Sequence, residues 1–235
     1  MQEILFYQIP ISHFCEKVHW ALDFKRLPYQ RVSVNPFTRK ELALISQSKQ
    51  VPIIRHGEQV VCESSAIVSY LDEICPEPPL VPEKEPERRE CLEIERIADQ
   101  EIGPAVRRLA YDTLTSDRAQ FKRLMLPKKG AARLLNPIKA PLMAITLKWH
   151  FGISRASCAR DRLCLSRRIA GLQERLDGRG HFIGDTLTIA DISVASLLCP
   201  LEIVKEFSES ADYSRIFGWM RSLREEHGRR RWQKQ

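Results

Sequence analysis

Ser12 and Cys15 place a hydroxyl and a thiol three residues apart in the segment Ser12-His13-Phe14-Cys15. A short apolar run, Ile4-Leu5-Phe6-Tyr7, precedes them, and Lys17-Val18-His19-Trp20-Ala21-Leu22 follows with helical patterning. This reads as a strand feeding a helix through a turn. The N-terminus of a helix offers unpaired N–H groups and the positive end of its dipole, so an alkoxide or a thiolate held there is stabilised. The spacing is also that of a C-x-x-C redox motif with serine in its first position. A plainer reading stands beside these: Ser12 as an N-cap and Cys15 as a small apolar residue facing the core.

The elements that position this turn follow from periodicity. Glu3 to Tyr7 reads as a strand, and Phe14, Val18, Ala21 and Leu22 recur at helical spacing until Leu27-Pro28. Tyr29 to Val34 resumes strand-like alternation, and Arg39 to Ser46 is a weaker helix. Two short apolar runs, 52–55 and 59–62, flank His56-Gly57-Glu58 as a hairpin. Ser64 to Ile74 forms an amphipathic helix with Ile67, Tyr70, Leu71 and Ile74 on one side. The order βαβαββα implies a mixed sheet packed by helices. Prolines 76, 78, 79, 82 and 86 then make a stiff linker. The domain boundaries expected are 1–78, a linker at 79–86, and 87–235.

After the linker nearly every segment reads helical. Ile94, Ile97, Ala98, Ala105 and Leu109 share one face, as do Leu165, Ile169, Leu172 and Leu176. Thr113 to Phe151 is interrupted by Pro127, Pro137 and Pro141 and is hard to divide. Leu187-Thr188-Ile189-Ala190-Asp191-Ile192 carries a capping box, with Asp191 in the usual Glu/Gln place and Leu187 and Ile192 as a hydrophobic staple. The helix it opens is apolar nearly all round and should be buried, which gives Asp191 a role in folding rather than catalysis.

Composition narrows the function classes. Of 235 residues, 43% are hydrophobic and 29% charged, as in a soluble globular protein. The formal net charge of +7 is uneven, at −1 over residues 1–78 and +8 over the rest. The basic clusters lack the interleaved aromatic residues of a nucleic-acid surface, so neither nucleic acid nor membrane is expected as a partner. A positive field beside a cleft still attracts a small anionic ligand. Seven scattered cysteines form no metal-ligand pairs and suit a reducing, cytoplasmic setting. No signal peptide is apparent, and the apolar stretch 140–147 is too short to span a bilayer. No metal is expected.

Four features occur in one order: the Ser-containing turn, Gln50-Val51-Pro52 before a hairpin, Glu63-Ser64 opening a helix, and the Thr188 to Asp191 box. With these the chain resembles the cytosolic glutathione transferase superfamily over nearly its whole length. The resemblance implies a thioredoxin-like N-terminal domain followed by an all-helical C-terminal bundle, that is, α/β plus all-α. It implies a cis Val51–Pro52 bond, with the Val51 backbone pairing to the cysteinyl part of glutathione like an added strand. It assigns the γ-glutamyl carboxylate to Ser64 and its ammonium to Glu63, with Gln50 or Lys49 adding contacts to the glycyl end.

The register of 17–22 puts Ser12 at the position of the activating Ser or Cys. Its hydroxyl would donate to the glutathione sulfur and lower the thiol pKa from about 8.5 towards neutrality. Tyr7, near the catalytic position of tyrosine-type classes, and Cys15 are the rivals. The second-substrate pocket is expected on the helix carrying Arg107, Arg108 and Tyr111. The activity implied is conjugation of glutathione, a co-substrate with no further cofactor, to small hydrophobic electrophiles, a detoxification reaction of a homodimer. The alternatives are a glutathione-dependent reductase, peroxidase or isomerase using Cys15, or a non-catalytic binding protein of the same fold.

Overall fold

The computed structural model describes residues 3–36, 38–48, 50–125 and 136–227. Lys49 and residues 126–135 of the basic segment 121–148, Pro127 among them, lie outside the described residues. Strands β1 (Ile4–Gln8), β2 (Tyr29–Ser33), β3 (Ile53–His56) and β4 (Gln59–Cys62) form one sheet in the order β2-β1-β3-β4. β1 runs parallel to β2 and antiparallel to β3, and β3 and β4 form the expected hairpin around Gly57 at φ 61°. A positive φ in that short turn suits glycine, which lacks the Cβ that penalises it. Helices α1 (His13–Phe24), α2 (Lys40–Ala43) and α3 (Ser64–Ile74) complete the mixed α/β unit.

Residues 75–86 form neither helix nor strand, and among the described residues every element beyond them is helical. α4 (Glu87–Ile97) passes through a π-helical turn, Ala98–Ile102, into α5 (Gly103–Ser116). α6 (Arg118–Met125) and α7 (Asn136–His150) lie in the stretch that the prolines obscured, and α7 continues through Pro141. α8 (Arg155–Leu176), α9 (Ile189–Leu198), α10 (Lys205–Ser208) and α11 (Ser214–Glu226) follow. The architecture is thus a thioredoxin-like unit followed by a helical bundle. No helix among the described residues is long and apolar enough to cross a membrane.

One apolar core joins the two parts. Cys15, Val18, Ala21 and Leu22 of α1 pack with Ile97, Ile102 and Ala105 and with Ile192, Ala195 and Leu198 of α9. The first turn of α1 meets the start of α5 closely. His13 Nε2 lies 3.1 Å from the Gly103 carbonyl oxygen, and a Cβ at Gly103 would come within 2.8 Å of Phe14 Cζ. Glycine there lets the helix approach the ring.

α9 is buried along its whole length, as its all-round apolarity requires. Its capping box is present. The Asp191 carboxylate, 0% exposed, accepts from the backbone N–H of Thr188 and Phe182, both at 2.8 Å, and from the Thr188 hydroxyl at 2.9 Å. Burial pushes its pKa up while these donors pull it down. Loss of the carboxylate strands three buried donors. Asp191→Ala is therefore expected to destabilise the protein by about 2–4 kcal/mol, with Asp191→Asn less damaging, as read from urea unfolding midpoints.

Candidate active site

The β1–α1 turn presents Ser12 half-buried at the mouth of α1. Its backbone N–H donates to Ile9 O at 2.9 Å, which closes the turn, and φ −77°, ψ 119° give it the extended geometry of an N-cap. The hydroxyl oxygen accepts from Cys15 N–H at 3.4 Å. Among the described residues the hydroxyl makes no donation, so its proton remains available to an acceptor in the cleft. The N-cap reading and the active-site reading are compatible, since capping uses only the oxygen.

Cys15 is 2% exposed within the core. Burial is the leading influence on its thiol and pushes its pKa up to about 12, outweighing the Ser12 and Ile9 hydrogen bonds that pull it down. At neutral pH it holds no appreciable thiolate, and disulfide exchange requires one. Tyr7, also buried, packs with Val34, Leu42 and Ile53 in a small cluster against α2.

The Val51–Pro52 peptide is cis, as the resemblance implied. Val51 stands just outside the paired register of β3, and Gln50 beside it is exposed. Glu63, at the N-cap of α3, has φ 71°, ψ 140° and no side-chain capping bond. For a residue with a Cβ this conformation is strained by about 1–3 kcal/mol, and such strain concentrates at functional positions. Ser64 follows as the first residue of the helix, buried, and its hydroxyl has no hydrogen-bond partner among the described residues. The free N–H groups of this helix end suit a carboxylate.

Behind Ser64 lies a constellation that sequence reasoning missed. Lys17 is 0% exposed, and its ammonium donates to Glu95 Oε1 at 2.8 Å, Asp99 Oδ2 at 2.7 Å and Ser65 Oγ at 3.3 Å. Ser65 in turn donates to Asp99 Oδ2 at 2.5 Å. Asp99 Oδ1 is buried with no partner among the described residues. The available signal was Lys17 itself: it precedes Ala21 by four residues and so lies beside the apolar face of α1. Long cations on such a face need buried carboxylates.

The opposite wall comes from the helical bundle. Ile11, next to Ser12, packs with Tyr111, Leu147 and Ala144 around buried Leu114, Phe121 and Met143. Tyr111 stacks on Phe151, with centroids 5.1 Å apart and planes at 15°, and Arg107 lies over both Phe14 and Phe151. Arg108, also expected in that pocket, is engaged elsewhere. It is bound bidentately to Asp161 of α8, at 2.5 and 2.7 Å, because one residue along a helix turns a side chain by about 100°. Ile11 and Phe14, on either side of Ser12, thus pack towards Tyr111 and Arg107, while Arg108 ties α5 to α8. No His/Cys/Asp/Glu group suited to a metal occurs among the described residues.

Comparison with known proteins bears on the fold. Residues 6–79 match the family model "Glutathione S-transferase, N-terminal domain". A glutathione S-transferase of Triticum aestivum is 33% identical over 94 residues, covering 40% of this chain and 44% of that protein. Glutathione S-transferase 1 of Dianthus caryophyllus is 29% identical over 146 residues, covering 59% and 66%. The matched stretch spans less than half of the first of these relatives. Among solved structures, a Methylobacterium radiotolerans glutathione S-transferase complexed with glutathione sulfonate superposes with a TM-score of 0.68 at 20% identity, covering 95% of this chain and 91% of that one. The beta-etherase LigF of Sphingobium sp. gives 0.74 at 17%, covering 95% of each chain. These likenesses establish the fold.

Two titratable groups at the turn yield tests. Burial, followed by the Arg107 charge, lowers the His13 pKa to about 3, against which the Gly103 hydrogen bond works only weakly. The folded protein thus keeps His13 neutral while the unfolded chain protonates it below about 6.5. In that window the unfolded state binds more protons, so stability falls as pH drops from 6.5 towards 3, by up to about 1.4 kcal/mol per pH unit. His13→Gln should flatten this part of the stability profile measured by denaturant titration. Cys15 should resist iodoacetamide at neutral pH in the native protein and be labelled only after unfolding, as followed by mass spectrometry.

Proposed function

We propose that this chain, whose residues 6–79 match the glutathione S-transferase N-terminal model, is a glutathione transferase that binds glutathione along the thioredoxin-like unit and transfers the glutathionyl group, through its sulfur, to small hydrophobic electrophiles. The observation that carries the reading is the Ser12 hydroxyl, half-buried at a helix N-terminus, with its oxygen engaged by Cys15 N–H and its proton uncommitted among the described residues. The Val51 backbone pairs with the cysteinyl unit of the ligand. Ser64 and the free N–H groups of α3 receive the γ-glutamyl carboxylate, and Glu63 accepts from its ammonium. The unpartnered Asp99 Oδ1 behind Ser65 adds negative potential that favours the same ammonium.

Ser12 then donates its proton to the bound sulfur as a hydrogen bond. This stabilises thiolate over thiol and lowers the thiol pKa, helped by the dipole of α1. The thiolate attacks the electrophilic carbon, forming a C–S bond as the leaving group departs with its electron pair, or as a conjugated double bond accepts them. Serine stabilises an anion throughout and forms no covalent intermediate. The wall of Ile11, Tyr111 and Phe151 supplies an apolar surface for the second substrate. Reduction or isomerisation through Cys15 is disfavoured by that thiol's burial and raised pKa. The same reading makes the working unit a cytoplasmic homodimer acting in detoxification.

Ser64→Ala should abolish retention on immobilised glutathione. In conjugation of 1-chloro-2,4-dinitrobenzene, Ser12→Ala should lower kcat/KM by roughly 10- to 100-fold, the value of one hydrogen bond to an anion. Cys15→Ala should change it by less than about 3-fold, since no thiolate is lost there. Loss with the cysteine substitution and persistence with the serine one would establish the redox reading instead.

A further inference from the structure

Arg107 is a half-buried cation with no ion pair among the described residues. Its guanidinium carbon lies 4.8 Å from the centroid of Phe151 and 5.6 Å from that of Phe14, so its recorded contacts are with ring faces. Its Nε is sealed from solvent and has no hydrogen-bond partner among the described residues. All 30 Asp and Glu residues of the chain lie among those residues, so no acidic side chain is left elsewhere to neutralise it. The neighbouring Arg108 shows the contrast: Asp161 meets it with both oxygens. A buried guanidinium is costly unless paired, and cation–π contact compensates only in part. Burial is also the chief influence lowering the Arg107 pKa.

The position of this cation bears on function. Arg107 precedes Tyr111 by one turn of α5, and Tyr111 stacks on the same Phe151 ring that Arg107 covers. Phe14 lies two residues beyond Ser12, while Ile11, one residue before it, packs beside Tyr111. Arg107 is therefore joined to the Ser12 turn through Phe14, and Tyr111 through Ile11. No hydrogen bond to a described residue takes up its N–H donors, and a carboxylate binds a guanidinium through such paired donors.

We propose that Arg107 is a specificity determinant that recognises a carboxylate on the second substrate. The preferred electrophiles of this chain then have an apolar or aromatic body, laid against Tyr111 and Phe151, and an acid group remote from the carbon that the sulfur attacks. The inference rests on the glutathione reading of the site and adds the substrate class to it.

Two stable products that differ only in the acid group test it: S-benzylglutathione and S-(4-carboxybenzyl)glutathione, each titrated calorimetrically into the full-length protein. The carboxylated conjugate should bind about tenfold more tightly, and Arg107→Met should bring the two affinities to within about 2-fold of each other, with Arg107→Lys between. Should the methionine variant fail to fold, Arg107→Gln makes the same comparison. Equal affinities in the wild-type protein, or a preference that survives loss of Arg107, overturn the inference and leave the glutathione reading standing. If neither conjugate binds, the glutathione reading falls and the inference falls with it.

Discussion

The Lys17 ammonium is the constraint around which the molecule is arranged. It sits with no solvent exposure between α1, the start of α3 and the α4–π-turn segment, and it is neutralised by Glu95 and Asp99 together. An ion so placed is stable only if its partners hold their geometry; removing one partner of a buried pair typically costs about 3–5 kcal/mol. The network therefore fixes the thioredoxin-like unit against the helical bundle five residues beyond Ser12. It also reaches Ser65, and through it the helix end that carries Ser64. The two ends of the candidate glutathione site, sulfur and γ-glutamyl, are thereby tied to one buried charge.

Around that charge the turn divides its tasks. His13 is neutral and bound to the Gly103 carbonyl, Phe14 packs against the start of α5, and Cys15 is sealed in the core. Each neighbour of Ser12 is spent on docking α1 onto the bundle. Ser12 makes no donation among the described residues and keeps a proton to offer. Rigidity in the flanking residues is what makes a single hydroxyl useful, because a donor held in place needs no reorganisation when charge develops on the sulfur.

Local chemistry was the part of this protein most legible in its sequence. The capping box at Thr188 and Asp191, the hairpin around Gly57, and the strand–turn–helix at Ser12 depend on residues close in the chain, and each formed where patterning put it. The resemblance correctly implied a cis Val51–Pro52 bond. Long-range pairings were not legible. Nothing local announces that Lys17 meets Glu95 and Asp99, or that Arg108 turns to Asp161 while Arg107 goes without a carboxylate. Adjacent arginines look alike in sequence and differ only once helical phase and the facing helix are known. The stretch 113–151 was obscured by prolines, yet α7 accommodates Pro141 because packing against α5 and α6 outweighs local propensity.

The central claim is that the Ser12 proton stabilises the sulfur anion of bound glutathione. Titrating the ultraviolet absorbance of that thiolate in the protein–glutathione complex, with wild type beside Ser12→Ala, measures it directly. The account predicts a bound thiol that ionises well below the free value of about 8.5 in the wild type and returns most of the way to it in the variant. A bound thiol that ionises as it does in water, or a depressed value that Ser12→Ala leaves in place, would contradict it.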